Sequence, residues 1–427
     1  MAASMGRQAA MPFIMVTVLL DMMSIGIVVP VLPKLVEIFM VGRADMALAY
    51  RDVQVAFAVA QFFSAAILGA LSDRYGRRPI LLLGMLGLAL SFLVTYVATA
   101  FWMLVVVRFF AGIMCANIAV ANAYVADITQ PENRARNYGL LGAMMGIGFI
   151  LGPVTGGLLG DHNPRLPFLI AGVLCLINFL YGYLVLPESL GPDQRRPFRL
   201  ISPFQSLARL RRIQGIEPLL WAMGLSTLAQ FTLHSAWLMF TQFRFGWSPM
   251  DNGLSLFVVG ITAAVSQAVL MKQLQRVVSV PTVAVLSMLS STIAFFAWGA
   301  VLEPWMLYAV AVANIVGYML VPSVQSLISN KVPMSSQGES MGAVASINSV
   351  AAVLGPLMSG SLLASVSHLA PTNWRMGTPF FACAMIQAVA LVIGLFYLSR
   401  FRAAPDASAE PSPKAARPFT ESESGHA

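Results

Sequence analysis

Apolar runs of about twenty residues, separated by charges, Gly/Pro clusters or short polar stretches, recur along nearly the whole 427-residue chain. Twenty residues is roughly the length an α-helix needs to cross the hydrocarbon of a bilayer. Breaks at the polar punctuation place twelve spans at 12–33, 53–72, 79–99, 102–126, 138–160, 166–187, 217–241, 253–271, 280–301, 304–326, 340–365 and 377–399. Open strand edges and irregular backbone facing lipid leave N–H and C=O groups unpaired, so a helical bundle is the architecture these runs permit. The expected fold is an all-α polytopic membrane protein.

Composition agrees: 58% of residues are apolar and 10% charged, with a mean hydropathy of +0.76. A soluble chain carries roughly a quarter charged residues. A net charge of +8 in a soluble protein would suggest nucleic acid. Here most of the 26 cations fall in alternate loops, on the side that also holds both termini, which predicts cytoplasmic termini and no nucleic-acid partner. Cys115, Cys175 and Cys383 all lie in apolar runs and form no metal spacing. No phosphate loop, zinc motif or catalytic constellation is present, so neither an enzyme nor a cofactor is expected.

Residues 188–216, rich in Pro and Arg, divide the chain into an N-terminal bundle (1–187) and a C-terminal bundle (217–399). Residues 400–427 are rich in Ala, Pro, Ser and Glu and predict a disordered cytoplasmic tail. The halves repeat at an offset of 203: Trp102-Met103-Leu104 returns as Trp305-Met306-Leu307, Gly152-Pro153 as Gly355-Pro356, and Gly157 as Gly360. The same offset maps Arg108 onto Ala311, Asp73 onto Arg276 and Asp127 onto Asn330. Two six-helix pseudo-repeats with a substrate site between them are the expected arrangement, and the N-terminal half holds the charged apparatus.

One connection is unusually dense in charge: Gly69-Ala-Leu-Ser-Asp73-Arg74-Tyr-Gly76-Arg77-Arg78-Pro79. Gly69 and Gly76 suit close approach and a tight turn, and Pro79 suits a helix's first turn. The segment resembles the signature loop between helices 2 and 3 of the major facilitator superfamily. The resemblance implies that Asp73 and Arg77, together with Asp127 at the end of span four, form a latch that opens during transport. Arg74 and Arg78 fit a solvated topological loop equally well.

Span five carries Gly146, Gly148, Gly152, Pro153, Gly156 and Gly157. Small residues let helix backbones meet. The string resembles the fifth-helix motif of facilitator antiporters, the exporting branch, in which that helix contacts the other half. Leu20-Asp-Met-Met-Ser-Ile-Gly-Ile-Val-Val-Pro-Val-Leu-Pro33, Ala123-Tyr-Val-Ala-Asp-Ile-Thr129 and Arg244-Phe-Gly-Trp-Ser248 are similar to the tetracycline efflux proteins of Gram-negative bacteria. Those proteins carry an acid in helix 9 and a histidine in helix 8. Ser290 and Ala263 occupy these places here, which argues against a divalent-metal–tetracycline cargo.

Asp21 and Arg108 lie deep within spans one and four. A charge at the bilayer centre costs about 2.5–3.5 kcal/mol on insertion scales, so both are expected to face the bundle interior. The resemblance to facilitators, whose helices 1 and 4 line the central cavity, implies that they face one another across it. Either the pair fixes packing, or Asp21 is a proton site: burial favours the neutral acid, Arg108 the carboxylate, and the balance moves as the cavity opens to each side. Gln61, Asn117, Asn122, Gln230, His234, Trp237 and Gln325 are expected to line the cavity. Gln230 and His234 share one face a helical turn apart. The expected function is a monomeric, proton-coupled exporter of amphipathic, drug-like molecules in a bacterial inner membrane. An exporter of a metabolite or siderophore, and a proton-coupled importer, use the same fold.

Overall fold

In the computed structural model, residues 2–115, 117–191, 193, 195, 197, 216–332 and 337–402 are described. The expected tail from 403 onward and most of the interbundle linker lie outside them. All regular elements among the described residues are helical. In chain order they are α1 (Ala2–Val28), α2 (Leu32–Glu37), α3 (Arg43–Tyr75), α4 (Arg77–Tyr96), α5 (Phe101–Met114), α6 (Asn117–Ile128), α7 (Arg134–His162) and α8 (Leu166–Val185). After the linker come α9 (Glu217–Phe245), α10 (Pro249–Val265), α11 (Met271–Val277), α12 (Val280–Ala300), α13 (Pro304–Ala313), α14 (Leu320–Lys331), α15 (Gln337–Val366) and α16 (Thr378–Arg402). Ten helical stretches among the described residues are long and apolar enough to cross a membrane.

Two predicted spans are not among the ten. The stretch 102–126 is cut at Cys115, where the backbone leaves α-helical geometry between α5 and α6. The stretch 217–241 is continuous in α9 but carries Ser226, Thr227, Gln230, Thr232, His234 and Ser235, which lower its mean apolarity. Polarity inside a long helix is affordable only where the helix faces protein or a cavity.

Three other departures from regular helix have local causes. Pro30 has no N–H to donate, and the chain tightens to 3-10 geometry over Val29–Val31 before α2 resumes the same span. Ser266–Leu270 widens into a π-turn between α10 and α11, where the Ser266 hydroxyl donates to the Ile315 carbonyl at 2.5 Å. Asn314–Met319 is 3-10 between α13 and α14, and the Ser290 hydroxyl donates to Asn314 Oδ1 at 2.9 Å. Predicted boundaries missed by up to ten residues: α3 begins at Arg43, taking Arg43, Asp45, Arg51 and Asp52 into the helix. Helix α9 ends at Gly246, whose φ of +67° closes it with the Gly246 N–H on the Gln242 carbonyl.

Buried apolar residues fall into three cores. The largest crosses both halves at one end of the molecule, from Ile27, Leu35, Tyr50 and Phe168 to Phe240, Phe295, Leu307 and Phe380. At the other end each half keeps its own: Phe13, Leu81, Met85 and Tyr124 in one, Leu219, Met223, Val324 and Tyr397 in the other. The two halves are packed together at one end and separate at the other.

Candidate functional site

Helix α7 shows how the packed end is built. Gly148 abuts the Leu19 carbonyl and Met22 of α1, and a Cβ at Gly152 would lie 2.7 Å from Gly26 Cα. On a second face, Gly157 meets the Pro249 carbonyl and Met250 of α10, and a Cβ at Gly253 would collide with the Pro153 carbonyl. The Pro153 position thus lies at a backbone-to-backbone contact between the halves. Gly156 belongs to the α1 face, where a Cβ would collide with the Ile27 carbonyl. Gly146 sits beyond these contacts, and an added Cβ there meets open space, as it does at Gly139 and Gly142.

Polar contacts reinforce the same end. Asp161, at the close of α7, accepts from the Met250 N–H at 3.2 Å and the Ser248 hydroxyl at 3.3 Å, at the N-terminus of α10. Gln242 donates to Glu37 at 2.8 Å, and Arg51 donates to the Ser361 hydroxyl at 3.2 Å. Each of these bridges the two halves.

The opposite end holds the cation-rich loop. Gly76 turns at φ +109°, a conformation glycine accepts without strain. Arg77 Nη1 lies 2.6 Å from Asp73 Oδ1 and equally close to the Ser72 hydroxyl, while its Nε meets Asp127 Oδ2 at 3.2 Å. Sequence reading missed the residue that completes this cluster. Glu188, just past α8, accepts from the backbone N–H of Arg77 at 2.8 Å and of Arg78 at 3.3 Å, placing a carboxylate at the N-terminus of α4. Ser189 donates to Asp127 at 3.2 Å. The signal available was an acid immediately after the last apolar residue of span six. Arg78 also donates to the Tyr183 carbonyl at 2.7 Å, and Arg74 lies over the Tyr75 ring. A Cβ at Gly69 would meet nothing within 4 Å among the described residues, contrary to the expected close approach. All the described partners of this cluster lie in the N-terminal half or at the start of the linker that follows it.

Between the two ends lies a cavity of about 770 Å³ lined from both halves. Gln61, Gln230, His234, Trp237 and Gln325 line it as expected, and so does Arg108. His234 is exposed into it, and Trp237 donates from its indole N–H to the Ser255 hydroxyl at 3.1 Å. Asn122 does not line it: its backbone carbonyl accepts from Tyr138, on the α7 side. The side chain of Asn117 lies outside the described residues. Tyr50, Gln54, Phe295, Trp298 and Tyr318 also form the wall. Tyr50, Gln54, Phe57 and Gln61 repeat at helical spacing along α3, a stripe of which Tyr50 precedes the predicted start of the span at 53. The helix interruptions at Asn314–Met319 and Ser266–Leu270 contribute Asn314 and Gln267 to the same wall. Irregular backbone at membrane depth is tolerated where it lines such a cavity.

Asp21 and Arg108 are both in the interior but do not meet. Asp21 is 5% exposed and accepts from Asn178 Nδ2 at 3.3 Å; Thr17, one turn earlier, donates to Asn178 Oδ1 at 3.2 Å. Arg108 stands over the Phe168 ring, with the guanidinium carbon 5.9 Å from its centroid. No hydrogen bond or ion pair joins the two among the described residues. Asp21 pairs instead with the middle of α8.

A sequence profile described as Major Facilitator Superfamily matches residues 14–356, with a second match over 274–423. The chain belongs to the major facilitator superfamily. It is therefore an integral membrane transporter of small molecules, not an enzyme. It is 33% identical to the class C tetracycline resistance protein of Escherichia coli, over 87% of this chain and 94% of that one. Identity to the class D tetracycline resistance protein of Salmonella ordonez is 32%, over 89% and 95%. In fold it is similar to the crystal structure of the human organic anion transporter MFSD10 (TETRAN), with a TM-score of 0.67 and 22% identity, covering 91% of this chain and 99% of that one.

Proposed function

We propose that this transporter is a proton-coupled exporter of amphipathic, drug-like molecules in a bacterial inner membrane, working by alternating access. The observation that carries the reading is the cavity shared by both halves, sealed at one end and unsealed at the other. Relatives named tetracycline resistance proteins, aligned over most of their length, support export of a drug-like cargo. In this reading twelve spans form two pseudo-equivalent six-helix bundles with both termini in the cytoplasm, and the unsealed end with the Arg77 cluster is cytoplasmic. The interruptions at Cys115 and Asn314–Met319 fall at matching places under the 203-residue offset, which supports the paired layout.

Asp21 is the proton site. Its carboxylate is buried beside Asn178 and Thr17, and holding a charge there is costly unless partners or a proton offset it. Arg108, elsewhere in the same interior, acts on it through its field rather than by direct pairing. Asp73, Arg77 and Asp127 provide the latch that grips the other half when the cavity faces outward. The gradient supplies about 2.3 kcal/mol per charge per 100 mV.

The test is uptake of a fluorescent drug into inside-out vesicles under an imposed pH gradient. Asp21→Asn should abolish uphill uptake while retaining binding. Undiminished uptake with an unchanged pH profile would remove Asp21 from the coupling role. Accumulation in the opposite direction would favour an importer.

A further inference from the structure

The cavity wall is asymmetric in charge. Arg108 lines it, and no carboxylate does among the described residues; Asp21 is not in the lining. Helix packing fixes where the guanidinium sits. Gly112 abuts the Phe57 carbonyl and Ala60, so one turn earlier Arg108 is level with Tyr50 and Gln54, themselves one turn apart on α3. Two donors at this level are buried and unpartnered: Arg108 Nη2 and Gln54 Nε2. A buried donor left unpaired is costly, and a buried charge more so. Around them the wall is aromatic, with Phe57, Phe92, Phe295 and Trp298.

From this we infer that Arg108 and Gln54, with Tyr50 beside them, form an anion subsite. The cargo is then an amphipathic organic anion whose acidic group takes the two orphan donors while its apolar body lies on the aromatic wall. This rests on the exporter reading for direction of movement but not for binding. It also explains the absence of an acid from the wall: a cationic drug, or a positively charged metal–drug complex, would meet Arg108 with nothing to offset it. A guanidinium is suited to oxyanions because its planar donors match their geometry.

Two probes separate charge from shape. 8-Anilino-1-naphthalenesulfonate and N-phenyl-1-naphthylamine share one aromatic body and differ by a sulfonate; ethidium supplies a cationic aromatic. Binding to full-length protein in nanodiscs is read by energy transfer from tryptophan, since Trp237 and Trp298 face the cavity. The wild type should favour the sulfonate over the neutral probe by roughly tenfold or more, the range expected of hydrogen bonds to a charged group. Arg108→Gln should erase that preference and leave the neutral probe within about twofold, whereas Arg108→Lys should retain part of it. Gln54→Leu should weaken the sulfonate several-fold and serves as the independent variant if Arg108→Gln does not fold.

A wild type that binds ethidium or the neutral probe as well as the sulfonate overturns the inference, as does equal loss of both anilinonaphthalenes on Arg108→Gln. Failure to bind either of them at all overturns it too. Gradient-driven transport of the same probes keeps the two readings apart. Sulfonate-selective binding without uphill movement leaves the subsite standing and removes the exporter. Uphill movement with no sulfonate preference does the reverse.

Discussion

The sealed and unsealed ends of this transporter are held by different kinds of contact. At the sealed end, backbone meets backbone: Gly157 against Pro249, Gly253 against Pro153, and Gly360 against the Ala47 carbonyl, with four hydrogen bonds to side chains around them. At the unsealed end the dense ionic cluster of Asp73, Arg77, Asp127 and Glu188 draws only on the N-terminal half and the first residue of the linker. Charge density is therefore a poor guide to where the halves are joined. Closure depends on glycines that allow two helices to touch, while the ionic cluster braces one bundle against itself. In a membrane this division is physically reasonable, because helix association there gains little from water exclusion and much from close packing.

The comparison can be broken most severely at Gly253. Gly253→Val forces the Pro153 carbonyl away, and overpacking of this kind costs about 1–3 kcal/mol, enough to shift the gate equilibrium five- to a hundredfold or more. Spin labels placed by Val41→Cys and Leu302→Cys, on opposite halves at the sealed end, should move apart; the native cysteines are all buried. An unchanged distance distribution would show that the glycine contact does not hold the seal. Asp161→Asn should act in the same direction but more weakly. It removes a carboxylate at the N-terminus of α10, worth about 0.5 kcal/mol in an exposed setting, so the separated population rises roughly twofold. Glu188→Gln should leave those label distances unchanged and instead lower thermal stability slightly, by the same few tenths of a kcal/mol. A large change in label distance on Glu188→Gln would overturn the assignment of that cluster to one half.

The sequence made much of this visible because the relevant signals are local. Apolar runs located the membrane helices, and one-turn spacing placed Gln230 and His234 together on the cavity wall. Gln61 and Gln325 followed from polarity within apolar runs. What stayed hidden depends on how separate helices are shifted against one another. Asp21 and Arg108 look like partners when both are simply deep in the membrane; that Asp21 turns to Asn178 and Arg108 to the Phe168 ring is fixed only by packing. Asn122 is as polar as Gln61 but does not line the cavity, and nothing in a repetitive apolar sequence fixes which face of its helix does. Glu188 and Asp161 act at helix ends contributed by distant segments, so their spacing in the chain carries no sign of their role. The break at Cys115 is hidden for another reason: no proline or charge marks it.

Helix α7 has a permanent face and a releasable one. Its contacts with α1 through Gly148, Gly152 and Gly156 lie within one bundle, whereas those with α10 through Pro153 and Gly157 join the two halves and, under the proposed alternating access, part when this sealed end opens. Loss-of-function alleles along this single helix should therefore sort into two kinds. Bulk on the α1 side should leave little protein in the membrane, while bulk on the α10 side should leave normal amounts of a carrier stalled in one posture.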